Sequence, residues 1–302
     1  MNLFDLHCDT VYECTTKKKD LKENDLHLDL NRGIAGTDQW VQTFAFWIAD
    51  DLTEEEQYHS YRRQLSCFRA FSERYAELSP YHGDAEPTQC RFLLSVEGGS
   101  AIGADLSRIS AFRQDGIRML TLTWNGENRI AGGVKSNQCL TAFGKEVIRE
   151  LEAQQIVVDV SHLNRESFFG VCRAAKKPFV ATHSNAFSVC GNPRNLEEDQ
   201  IRELVHCGGL IGLNLFRDFL SSENDCKMED FLRHIEYFLS HDAGNNLAIG
   251  TDFDGAEMPK WIKGIESLEM LFQNVVKYFG EQISRQIFYD NAVRFFSEYG
   301  EY

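Results

Sequence analysis

A parallel (β/α)8 barrel is the fold this sequence predicts, and three observations carry the prediction. Eight short apolar runs recur along the 302 residues, mostly separated by polar loops and segments of helical period. Several runs are apolar on both faces, as strands fully buried in a parallel sheet are. No run is followed by GxGxxG, which would favour the alternative, a doubly wound open sheet. The length suits one catalytic barrel domain over 1–302, and no Pro/Ser-rich linker, low-complexity segment or repeat divides it.

Taken in order, the predicted strands are LFDLHCD (3–9), WVQTFAFWIA (40–49), RFLLSVE (91–97), IRMLTLTW (117–124), IVVDVSH (156–162), FVATHSN (179–185), LIGLNLF (210–216) and LAIGTDF (247–253). In the first, strict alternation puts Asp5, His7 and Asp9 on one face and turns Cys8 away. Between strands two and three, the stretch 52–78 reads as a long amphipathic helix entered through a capping box of Thr53 and Glu56. After strand six, NLEEDQIREL reads as a helix with Asn195 as N-cap and Glu198 three residues on.

Composition excludes several classes. Lys and Arg number 31 against 46 Asp and Glu, a formal charge of −15, so no basic surface is expected for nucleic acid or an anionic membrane. MNLFDLHCDT has no basic and apolar leader, and no run reaches membrane-spanning length. Nine cysteines without a CxxC pair read as reduced thiols, so the expected location is cytoplasmic. A hydrophobic content of 43% with only 5 prolines describes a packed globular chain.

Chemistry in a barrel gathers where strands end and βα loops begin. Strand one ends in His7 and Asp9, strand three in Glu97 before two glycines, strand five in His162, strand six in His183, strand eight in Asp252 and Asp254. Any one of these is ordinary: a core histidine, a salt-bridged glutamate, an aspartate shaping a turn. Five of eight strands ending in His, Asp or Glu around one rim is not. Imidazoles with carboxylates are the donor set of zinc or a similar divalent ion. There are too many donors for one ion, which points to two ions bridged by Glu97. Such a pair provides a hydroxide near neutral pH and polarises a carbonyl, with Asp252 able to move the proton.

In matching order, HCD, SVEGG, DVSH, THSN and GTDFDG resemble the motifs of the renal (membrane) dipeptidases, a zinc-dependent branch of the amidohydrolase superfamily. The closing YDNAVRFF is similar to that family's N-x-x-R-x-F pattern at Asn291, Arg294 and Phe296. The resemblance covers nearly the whole chain. It implies one zinc on His7 and Asp9, a second on His162 and His183, and Glu97 shared between them. It implies a metallopeptidase cleaving dipeptides, including those with a C-terminal D-residue, and a homodimer. In SVCGNPRNLEEDQI it implies that Arg194 holds the substrate carboxylate, which a planar guanidinium does through two charge-assisted bonds.

One departure stands out. Many members read LTH after the fourth strand, with a histidine that contacts the substrate; here LTLTWNGENRIAGG places Trp124 there. Trp offers a single N–H donor and no base. Asn125 and Asn128 are the candidates for a replacement donor at the substrate. The substitution opens a second expectation, an amidohydrolase acting on an N-acyl amino acid, lactam or lactone. A third, a metal-binding barrel without activity, would leave the costly buried charges without a reason.

Overall fold

The computed structural model describes residues 1–83, 85–223 and 225–300. Among these, the apolar runs pair as β1 (Asn2–Cys8), β2 (Gln39–Trp47), β3 (Leu78–Pro80), β4 (Cys90–Glu97), β5 (Ile117–Thr121), β6 (Val157–Asp159), β7 (Ile211–Leu213) and β8 (Leu247–Ile249). All pairings between them are parallel, in the order β6-β5-β4-β2-β1-β8-β7. Val180 bridges Asp159 on one side, and Ala181 bridges Ile211 on the other, so two residues carry the sheet round and close the barrel. The predicted sixth strand, 179–185, thus contributes a stave of two bridging residues. β3 was not foreseen; it pairs with Cys90–Phe92 along the edge of β4 whose upper part pairs with β5.

Strands five, six and eight of the prediction end earlier than expected, and the reason is local. At the mouth, backbone N–H groups turn from neighbouring strands to side-chain oxygens. Asp159 Oδ1 accepts from the amides of Ser161 and Thr182 (both 3.0 Å), and Asp5 Oδ1 accepts from the amide of Thr251 (2.8 Å). Side-chain acceptors satisfy the buried donors that another strand would have paired. His162, His183 and Asp252 therefore stand just past the strands, in the first residues of the βα loops.

The barrel has an apolar interior distinct from the layer beneath its helices. Phe4, Leu6, Val41, Leu93, Met119, Val157, Val180, Leu210 and Ala248, drawn from successive staves, form one inner cluster with Phe295 and Phe296. Phe296 stacks on Phe4 with centroids 5.3 Å apart and planes 2° from parallel. Thus the C-terminal helix Asn291–Tyr299 plugs the end of the barrel where strands begin. Asn291 fastens that plug by donating to the carbonyls of Gly244 (2.9 Å) and Leu247 (2.8 Å), and Arg294 donates to the carbonyl of Asn245. The closing pattern seen in the sequence is a structural lock, far from the strand tips.

Two helix expectations fared differently. Helix Glu54–Arg74 starts at Thr53 with the expected capping box to Glu56. Helix Glu198–His206 starts instead from Glu197, whose amide donates to Gln200 Oε1 at 2.9 Å. Asn195 does not cap it because its Oδ1 already accepts from the amide of Asn185 (3.1 Å), while its Nδ2 donates to the carbonyls of Cys190 (2.9 Å) and Phe219 (2.8 Å). Among the described residues, no helix is long and apolar enough to cross a membrane.

Candidate metal centre and cleft

The alternation argument for β1 needs one correction. Between Asp5 and Cys8 the register with β2 shifts: three steps on β1 face two, from Gln42 to Phe44. Such a bulge breaks the period of two. Asp5 consequently parts from His7 and joins Gln42 and Thr251, accepting from Gln42 Nε2 at 2.8 Å and Thr251 Oγ1 at 2.7 Å. His7 and Asp9 remain together, with His7 Nε2 at 3.4 Å from Asp9 Oδ2, while Cys8 packs into the outer core.

Glu97, the last residue of β4, is where the expected residues meet. Its Oε1 lies 2.7 Å from His162 Nε2 and 3.6 Å from His183 Nε2, and its Oε2 lies 3.4 Å from His7 Nε2. The Nε2 atoms of His162 and His183 are 2.9 Å apart. Asp252 Oδ1 comes within 4.0 Å of His7 Nε2. All six side chains are buried. The next residue, Gly98, takes φ = 102°, a turn that L side chains resist, and so ends β4 directly behind Glu97. His162 and Asp252 themselves sit at φ = 71° and 60°, strained for non-glycine residues, as functional side chains often are.

Partners behind the histidines decide which nitrogen faces the cluster. Asn125 Oδ1 can only accept, so at 3.0 Å it takes the Nδ1–H of His162. Thr182 Oγ1 donates to Asp159 Oδ2 at 2.7 Å and therefore accepts from His183 Nδ1–H at 2.8 Å. Both rings then present an Nε2 lone pair toward Glu97 and toward each other. Burial, followed by the charge of Arg194, holds His162 down at about 4, and burial with the charge of His7 holds His183 well below the usual imidazole range. Neutral imidazoles with their outer N–H groups bonded are metal ligands in form.

The carboxylates tell the same story. Burial opposes ionisation of Glu97, yet the charge of His7 holds it well below the ordinary carboxylate range. Burial, then the charge of Glu97, pushes Asp9 well above it. Burial raises Asp252 to about 6. Asp9 occupies the N-cap position of helix Thr10–Lys17, where aspartate ordinarily accepts a backbone N–H, but makes no such bond. Its Oδ1 and His7 Nε2 are both buried without a hydrogen-bond partner. A Cβ on Gly255 would lie 2.0 Å from Asp9 Oδ2 and 2.7 Å from Asp252 Oδ1, so this cradle exists only with glycine there. Crowded carboxylates, converging lone pairs and orphaned ligand atoms fit the binding of divalent cations.

The cluster forms the floor of a cleft of about 540 Å³. Arg194 reaches into it buried, with Nε and Nη2 lacking hydrogen-bond partners, its guanidinium 5.3 Å from the centre of the Phe219 ring. Burial lowers it to about 10. Trp124 and Asn125 line the cleft as expected. Asn128 does not: it lines a separate hollow, and its amide shapes the loop by donating to the carbonyl of Leu122 and accepting from Ile130 and Ala131. Asp254 is likewise used structurally, accepting from Thr10 Oγ1 and the amide of His27. Asn214, unremarked in the sequence, stands just after β7 and donates to Asp252 Oδ2 at 2.9 Å.

The sequence profile described as membrane dipeptidase (peptidase family M19) matches residues 1–302. The chain is 31% identical over 192 residues to an uncharacterized protein in the pqqA 5′ region of Klebsiella pneumoniae, covering 60% of this chain and 71% of that one. Its fold is similar to the crystal structure of dipeptidase AC, a metallopeptidase, with a TM-score of 0.90, 23% identity, and 98% and 97% of the two chains covered. A metallopeptidase from Rhodobacter sphaeroides, bound to a phosphinate mimic of L-Ala-D-Ala, superposes with a TM-score of 0.91 at 22% identity over 99% of each chain.

Proposed function

We propose that this chain, which belongs to the membrane dipeptidase family (peptidase family M19) and is a metallopeptidase, hydrolyses dipeptides with a free C-terminal carboxylate. In this reading His7 and Asp9 hold one zinc ion, His162 and His183 hold the other, and Glu97 is shared. Divalent ions bound there supply acidified water and Lewis-acid stabilisation of the scissile carbonyl.

The chain's own residues do the remainder. Arg194 clasps the terminal carboxylate in two parallel bonds, which limits the residues beyond the scissile bond to one. Asp252 is mostly ionised at pH 7 if its carboxyl titrates at about 6. It can then take a proton from water and hand it to the leaving amine. Asn214 holds one Asp252 oxygen and leaves the other turned to the cluster. Asn125 and Thr182 keep the two imidazoles in the ligating tautomer. A homodimer belongs to the same reading, on the family resemblance alone.

The observation that carries the reading is the pairing of two unsatisfied groups across one cleft: orphaned ligand atoms on the floor and a buried guanidinium whose Nε and Nη2 have no hydrogen-bond partner. The test is turnover of an L,L and L,D dipeptide panel with and without chelator, repeated on C-terminally amidated forms. Chelator should abolish activity, and Arg194→Ala should raise KM for free dipeptides while leaving amidated ones little changed. Equal weakening for both would remove Arg194 from carboxylate binding.

One feature favours a second substrate, an N-acylated amino acid. Away from the cluster, the aromatic side of the cleft carries the cationic Lys135, and the nearby Glu13 carboxylate is bridged to Lys17. Neither invites a substrate ammonium. Turnover of N-acetyl amino acids beside the dipeptides separates the two.

A further inference from the structure

We propose that the cleft selects a large aromatic side chain on the amino side of the scissile bond, and that Trp47 and Trp124 select it. The inference rests on the dipeptide reading above.

The barrel order places the two halves of the cleft. Tyr12 follows β1, Trp47 ends β2 and Trp124 follows β5, which puts all three on the arc that runs through β1, β2, β4 and β5. Arg194 follows the Val180–Ala181 stave and Phe219 follows β7, on the opposite arc. The cluster around Glu97 lies between. A substrate with its carboxylate on Arg194 and its scissile carbonyl over the cluster must direct its amino-side residue toward the aromatic arc.

What it meets there is a built corner. The Trp47 and Trp124 rings are 5.0 Å apart at centroid with planes at 82°, and Tyr12 meets Trp47 at 4.7 Å and 81°. Each edge-to-face contact holds the next ring, so the corner is rigid and two of its walls are perpendicular indoles. A fourth ring, from the substrate, continues such a herringbone with its quadrupole favourably placed; a methyl side chain leaves the corner unfilled. Filling an apolar subsite of this size is worth about ten- to hundred-fold in kcat/KM. The rival attraction is Lys135 at the rim, which would favour an acidic residue at the same position.

The test compares kcat/KM of the zinc-loaded protein for Phe-Ala, Leu-Ala, Ala-Ala and Asp-Ala. The wild type should prefer Phe-Ala over Ala-Ala by about tenfold or more, with Leu-Ala between. Trp124→Ala and Trp47→Leu, made separately so that a misfolded variant does not decide the matter, should each collapse that ratio, chiefly by raising KM for Phe-Ala. A wild-type ratio near one, or a preference for Asp-Ala, overturns the selection while leaving the peptidase reading intact. No turnover of any dipeptide overturns the peptidase reading and the selection with it.

Discussion

The two ends of the barrel are built from the same staves by opposite rules. Where strands begin, the interior is filled with Phe4, Leu6, Val41, Met119 and the plug residues Phe295 and Phe296. Asn291 there is satisfied by the two carbonyls it donates to. Where strands end, the interior holds Asp9, Glu97, Asp252 and three histidines, with ligand atoms lacking partners and backbone torsions at positive φ. The lower end lowers the free energy of the fold, and the upper end gives back part of that gain by holding polar groups whose partners the chain itself does not supply.

If that division is real, a change at one end should leave the other nearly untouched. The largest effect belongs to the upper end. Asp252→Asn keeps the shape and the hydrogen bond acceptor but cannot carry the proton, so turnover should fall by about 10²- to 10⁴-fold with bound metal retained. Unchanged turnover would assign the proton transfer to another group. At the lower end, Phe296→Ala removes a stacked ring from the plug and should cost about 3–5 kcal/mol in chemical denaturation. The folded fraction should retain wild-type metal content and KM. A loss of metal in Phe296→Ala, measured on folded protein, would break the division of labour between the two ends.

How far the site was legible in the sequence follows from the kind of residue concerned. His7, Asp9, Glu97, His162, His183 and Asp252 could be found because each is a strong donor at or just past the tip of an apolar run. The parallel barrel brings all such tips together. Thr182, Asp159 and Asn214 were not found, since a hydroxyl, a carboxylate or an amide near a strand end is indistinguishable from a turn former until its partner is seen. Asp5 was assigned to the face of His7 because alternation is the default, and the bulge that separates them has no mark in NLFDLHC. Asn128 failed as a substrate contact for the reason that asparagines in loops usually do: its amide was already committed to the backbone.

Metal stoichiometry tests the upper end most directly. Elemental analysis of purified protein, after zinc reconstitution and removal of free ion, should return close to two divalent ions per chain. Glu97→Gln should bring that number down, because the shared carboxylate is gone. Protein that takes up no metal under those conditions, while remaining folded by circular dichroism, would contradict the account of the cluster as a binding site for a pair of ions.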